Sequence, residues 1–443
     1  MSFFFGTLLV LGVLITVHEW GHFIVARFFG VRVDVFSIGF GPRLFGVKRG
    51  HTDYRVSAVP LGGYVRMAGQ DLSEVDSAGP APTGAPDELA SKPRWQRALI
   101  SLAGPVVNLI LPILLFGVFY WVHGTPYPQY LDQPAVIAGL SQNDPLAKQG
   151  VSVGDRIVAV NGVDIPTWEQ ADEKILDPAN DQLHLTIQHQ STTRTVDVRA
   201  KDLAEPKVLG GYHPIPPVID QVMKGQAAHR SGMKSGDTVI SVNGAAVANW
   251  PEFVDIVQHS DGSALQVTVL RDSKLVTLTM KPEWLPNEEA QYAFRVGIGP
   301  KIPLSYKRTS FTAAFSSAAA ETWFGTTRLL GTVGKLVTGK LSVKQLSGVV
   351  NIADQAGHAV QDGSLAVVNL MAIISLNLGI LNLLPIPILD GGNILLLGIE
   401  GLMRRDMSMA FKIRFVQAGL VFLLLIFTVV MYNDVMRRLP IHL

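Results

Sequence analysis

Long apolar runs alternate with stretches of ordinary polarity along this chain. Four runs are long enough for a hydrocarbon layer of ~30 Å, which a helix crosses with about 20 apolar residues. They cover 3–23, 98–122, 365–389 and 415–432. The first contains His18, Glu19 and His22, which a passive anchor would not carry. It has no basic leader and no small-residue cleavage site after it, so it reads as a retained span rather than a signal peptide. The second is uncharged and holds Gly104, Pro105 and Asn108; the third is uncharged until Asp390-Gly391-Gly392.

The polar stretches have patterns of their own. Val31-Arg-Val-Asp-Val-Phe36-Ser-Ile alternates as a strand does, and so do the segments at 54–59 and 63–67. Gly39, Gly41, Pro42, Gly62 and Gly63 punctuate them, which predicts a small sheet beside the first span. Residues 71–90 are rich in Pro, Gly, Ala, Asp and Ser and predict a flexible loop. Residues 310–340 predict a juxtamembrane amphipathic helix or a plain connector helix. The long insert contains an internal repeat. Gly150 to Gly162 matches Gly232 to Gly244 at a constant offset of 82 residues, a domain-sized period. In each copy Gly-Asp leads into an alternating strand that Asn-Gly ends in a tight turn, and Trp168 and Trp250 follow at equal distance. Two copies of this pattern resemble PDZ domains, over about 127–300.

Composition sharpens this division. Charged residues are 16% of the 443 and hydrophobic ones 48%, against roughly 25% charged in a soluble domain. Lys and Arg total 37 and Asp and Glu 36, a net charge of +1. Nothing there attracts a nucleic acid. Lys and Arg gather between the first and second spans and between the third and fourth, and none precedes the first. That places both short loops in the cytoplasm and the large insert on the other side. Cysteine is absent, so any metal must use His, Asp or Glu.

His18-Glu19-Trp20-Gly21-His22 is an H-E-x-x-H pattern. Helical residues four apart share a face, so both imidazoles reach one tetrahedral Zn²⁺. Glu19 falls on nearly the same side, placed for a general base. An acid inside an apolar span costs roughly 2.5–3.5 kcal/mol on insertion scales, so such a residue is seldom kept without a partner. The bland alternative is a polar cluster packing on another helix. A catalytic zinc needs a third protein ligand, and Asp390, at the end of another apolar span, is the strongest candidate. Pro385 and Pro387 before it preclude a regular helix. Irregular backbone at membrane depth survives only inside protein or around a cavity. A carboxylate at a helix end in the interface is the alternative for Asp390.

These residues taken together resemble the site-2 protease family: His18-Glu19-x-x-His22 in the first span, Asn382-x-x-Pro385 leading to Leu389-Asp390-Gly391-Gly392, and a PDZ pair between. Gly104-Pro105-x-x-Asn108 also matches the family's second span. Asn393 stands where relatives usually carry His. The resemblance covers essentially the whole chain. It implies an intramembrane zinc endopeptidase with His18, His22 and Asp390 as ligands and Glu19 as base. It further implies that Asn377, Asn382, Pro385 and Pro387 shape substrate binding, and that a membrane-re-entrant β-loop with Phe36, Gly39 and Tyr64 receives the substrate as an added strand. Packing is the alternative for Asn377 and Asn382.

The expected architecture is a membrane protein with four transmembrane helices forming the metalloprotease core. Its divisions are span one (1–26), a loop with the cytoplasmic-side β-sheet (27–97), span two (98–122), two PDZ domains (127–213 and 214–300), an amphipathic segment (301–363), span three (364–392) and span four (413–434). The resemblance implies a bacterial inner-membrane enzyme of regulated intramembrane proteolysis in a stress response. Its PDZ domains are periplasmic and its site lies toward the cytoplasm. Its substrates are single-span segments, of anti-sigma factors or leftover signal peptides, first trimmed by a site-1-type protease; lipids are its other partners. A membrane PDZ scaffold with an inactive metal site is the competing reading, and an ion-coupled transporter a third.

Overall fold

The protein is seen here as a computed structural model, which describes residues 2–70, 83–140, 144–177, 180–204, 211–286, 292–339 and 349–436. Most of the expected loop at 71–90 lies outside them. The chain forms two compact units, one from residues 1–125 and 308–443 and the other from 126–307.

The first unit is helical. Its helices are α1 (Ser2–Phe28), α2 (Arg94–His123), α3 (Phe311–Val337), α4 (Val349–Asp362), α5 (Ser364–Leu383), α6 (Asp390–Met403) and α7 (Met409–Met436). Gly30 stops α1: it takes φ +68°, and the Val31 N–H reaches back to the Ala26 carbonyl at 2.8 Å, the bond of a Schellman end. Among the described residues, three helical stretches are long and apolar enough to cross a membrane: Arg94–His123, Ser364–Leu383 and Met409–Tyr432. Apolar clusters tie the bundle together. Val10 and Leu14 of α1 pack with Ala356 and Ala359 of α4 and Leu370 and Ile374 of α5. Phe116 and Tyr120 of α2 pack with Ala314 and Ala318 of α3. By contrast α7 leaves Leu424, Leu425 and Phe427 more than half exposed. A contiguous apolar face of that kind is expected against lipid, not water.

Two long strands, β1 (Val33–Arg49) and β2 (Thr52–Met67), fold on themselves into a small sheet. The first half of β1 has a neighbour on each side: Phe36 is opposite Tyr54 and also opposite Val65. The second half of β1 pairs with the start of β2, Lys48 opposite Asp53. Segment 63–67 therefore forms one edge of the sheet, and 43–49 forms the other. Val31, Val33, Val65 and Met67 pack on Ala26 of α1 and Ile100 of α2.

The second unit repeats one design. Each copy has a four-stranded antiparallel sheet, Val163–Asp164, Arg156–Val160, Gln182–His189 and Thr192–Arg199 in spatial order, then Ala245–Ala246, Thr238–Val242, Leu265–Arg271 and Lys274–Met280. Helices Trp168–Ile175 and Trp250–Gln258 cover them, and each copy has its own core, with Trp168 and Trp250 fully buried. Asn161 and Asn243 take φ 51° with a left-handed glycine after each, as a type I′ turn requires. Their Oδ1 atoms accept from the His184 and Gln266 N–H groups, both at 2.8 Å.

Candidate metal centre

α1 presents His18 and His22 one turn apart, both buried, where α1 crosses α2. The crossing is tight because glycines lie on both sides. A Cβ on Gly21 would stand 2.7 Å from the Ala103 carbonyl oxygen, and one on Gly104 would overlap the His22 imidazole. α5 ends at Leu383, the chain turns through Leu384 to Leu389 with Ile388 at φ 82°, and Asp390 opens α6. The carboxylate expected at the end of a span thus stands at a helix start. Gly391 and Gly392 let that helix press against the Leu383 and Ile386 carbonyls.

Three side chains converge. His18 Nε2 lies 3.2 Å from His22 Nε2, and Asp390 places Oδ2 3.3 Å from His18 Nε2 and Oδ1 3.5 Å from His22 Nε2. Among the described residues this is the one group of His, Asp and Glu spaced to hold a metal ion. Zinc bonds of ~2.0–2.2 Å in a tetrahedron set neighbouring donors about 3.3–3.5 Å apart, so the spacing fits that ion. The chemistry of the donors fits as well. His22 Nδ1 lies 2.7 Å from the Ile100 carbonyl oxygen. A carbonyl only accepts, so Nδ1 carries a proton, and the neutral form of the ring directs the lone pair of Nε2 at the common point.

Around these atoms stand further polar groups. The Val65 N–H, on the free edge of the sheet, donates to Glu19 Oε2 at 3.1 Å. Asn382 Nδ2 is 3.3 Å from His18 Nε2, beside the converging donors. Asn108 Nδ2 is 3.2 Å from His18 Nδ1, on the far edge of that ring. The other expected site residues lie farther out. Asn377 is half-buried on α5, Pro385 is exposed in the break, and Pro387 packs on Gly419 of α7. Phe36 sits edge-on to Phe23 of α1 at 5.4 Å. Gly39 takes φ +91° close to the Val59 carbonyl, and Tyr64 stacks on Phe40 at 6.1 Å. The sequence reading gave Asn108, Val65 and Ile100 no role. Only Asn108, an amide in an uncharged span, left any signal there.

Two imidazoles and a carboxylate around one point, with an acid next to them on a helix of a membrane-type bundle, define a metallohydrolase. Comparison with known proteins agrees: residues 6–426 match the model of Peptidase family M50, and the chain belongs to that family. It is a membrane-embedded metalloendopeptidase of the site-2 type, a class that uses zinc. It is 33% identical over 451 residues to the regulator of sigma-E protease of Salmonella typhimurium, with 97% of each chain covered. It is 32% identical over 450 residues to that of Escherichia coli K12, again with 97% of each covered. A Neisseria meningitidis protein provisionally named a zinc metalloprotease is 32% identical over 459 residues, 99% of both chains.

Proposed function

We propose that this protein cuts the transmembrane segments of single-span proteins that another protease has already trimmed, with zinc held by His18, His22 and Asp390 and with Glu19 as general base. The observation that carries this reading is the convergence of His18 Nε2, His22 Nε2 and the Asp390 carboxylate, whose two oxygens lie 3.3 and 3.5 Å from one imidazole nitrogen each, with the nitrogens 3.2 Å apart. Zinc bound there supplies Lewis acidity toward a peptide carbonyl and toward water. Glu19, oriented by the Val65 N–H, takes a proton from the attacking water and delivers it to the leaving amine. The Asn382 amide donates to the oxygen on which negative charge develops.

A helical substrate hides its carbonyls in i→i−4 bonds and must unwind before it is cut. The 63–67 edge offers it a strand partner beside Glu19, with Tyr64 in that edge and Phe36 and Gly39 in the strand behind it. Pro385, Pro387 and Asn377 shape the opposite wall. Exposure of Leu44, Phe45 and Val47 at 62%, 64% and 70% supports a sheet that dips into the hydrocarbon. In this reading α1, at 27 residues, spans the bilayer as a fourth crossing. The repeated units are PDZ domains on the periplasmic side of a bacterial inner membrane, and the metal centre lies toward the cytoplasm. The relatives named regulator of sigma-E protease support a place in a sigma-factor pathway; within it we take an anti-sigma factor as the substrate, with remnant signal peptides as a second class.

The test uses purified full-length protein in detergent, a single-span substrate and metal analysis. Wild type should hold about one zinc and cleave, and Glu19→Gln should keep its zinc and its fold while cleavage stops. Turnover at the wild-type rate in Glu19→Gln sinks the base assignment. Zinc retained in Asp390→Ala moves the third ligand elsewhere.

A further inference from the structure

Asn108 lies inside an apolar helix and is fully buried, at 0% exposure. Its Oδ1 is buried without a hydrogen-bond partner among the described residues. The one hydrogen bond its side chain makes there is with His18 Nδ1, at 3.2 Å. A buried amide with a single hydrogen bond calls for an explanation, and that bond is to an imidazole of the site. The backbone at this point is also fixed, because Ser375 Oγ of α5 donates to the Asn108 carbonyl at 2.7 Å.

The two ends of an amide are alike in shape, so the hydrogen-bond logic decides which end faces the ring. With Nδ2 donating to Nδ1, the neutral His18 ring carries its proton on Nε2, aimed at His22 and Asp390. With the amide turned over, Oδ1 accepts the Nδ1 proton and the Nε2 lone pair joins those of His22 and Asp390. Only this second arrangement makes the two histidines equivalent, since His22 Nδ1 already faces an acceptor, the Ile100 carbonyl.

We infer that Asn108 is a positioning residue: its Oδ1 accepts the His18 Nδ1 proton, fixes the tautomer of that ring, and so sets the metal affinity of the centre. The inference rests on His18 being a ligand. Partners in this outer position are worth about 10–100-fold in metal affinity.

The test measures zinc affinity by chelator competition on the full-length protein in detergent, alongside the melting temperature in excess chelator. Asn108→Leu, which removes the acceptor at similar volume, should weaken zinc binding about 10–100-fold. Asn108→Asp, which keeps an acceptor, should stay near wild type. Both should melt near wild type without metal. The inference is overturned if Asn108→Leu binds zinc as tightly as wild type, or if Asn108→Asp loses as much affinity as Asn108→Leu. Should Asn108→Leu fail to fold, Asn108→Ala takes its place in the same comparison. His18→Ala separates the two levels of the argument. If it keeps zinc, the ligand assignment fails; if it loses zinc while Asn108→Leu does not, only the positioning role fails.

Discussion

The metal centre and the repeated unit bury ionisable groups in opposite ways. In the repeated unit Asp155 and Asp237 stand at equivalent positions, each 1% exposed. Each is closed on near neighbours. Asp237 accepts from the Lys234 N–H and from Arg271 at 2.6 Å, and Asp155 from the Ser152 N–H and from His189. Both of these carboxylates find their partners within their own copy. In the helical unit, the His18–His22 pair of α1 and the distant Asp390 direct their donor atoms at one shared region. A buried charge that ends on a local partner holds a fold together. Buried donors that converge on each other call for a cation.

That contrast can be broken, and the sharpest break lies at the metal centre. His22→Ala or Asp390→Ala should lose the bound zinc and lower cleavage on the order of 10³-fold or more, the several kcal/mol that a catalytic metal supplies. Metal analysis with a cleavage assay reads this, and a variant that keeps both zinc and activity removes the distinction between the units. Asn382→Ala should cost about 10²-fold in kcat with little change in KM, as one lost oxyanion donor does. A rise in KM alone would make that amide a binding group instead.

The insert should respond in stability only. Asp237→Asn leaves Arg271 without its buried partner and should cost about 1–3 kcal/mol, read as faster hydrogen exchange across 238–280 with zinc content unchanged. Loss of zinc in this variant would erase the contrast from the other side. The smallest effect is a pH dependence. Burial pushes the Asp237 carboxyl up, but the Arg271 guanidinium and the Lys234 N–H outweigh it and hold the group below its ordinary value. Its contribution is complete above the ordinary carboxylate pKa and is lost as pH falls through the lower folded value. Protection from exchange in the same segment, taken relative to the intrinsic rate at each pH, should fall in acid for wild type and less so for Asp237→Asn.

Much of this was legible in the chain itself. Spacing placed His18 and His22 on one helix face, and the apolar context made Glu19 and Asp390 conspicuous. The Asn-Gly turns of the insert were readable from two residues each, because only a left-handed pair fits there. The sheet was readable as alternating segments. Its order was not, because β1 pairs on both sides through repeated register shifts, and such pairings depend on tertiary contacts rather than on local pattern. Pro385 and Pro387 announced a break in the third span but not that Asp390 would begin a new helix. Asn108 was visible as an amide in an apolar run and as the end of the Gly104-Pro105-x-x-Asn108 match, but without a role, since its meaning depends on which edge of an imidazole it faces.

The helical unit is assembled from residues 1–125 and 308–443, and this has a consequence for how a copy of the enzyme comes into being. Asp390 leaves the ribosome about 370 residues after His22, roughly 20–75 s later at 5–20 residues per second. Throughout that interval the nascent chain carries two imidazoles and no carboxylate to complete the proposed ligand set. Peptidase competence therefore arrives late in synthesis, after the whole insert has been made, and a chain abandoned partway is inert.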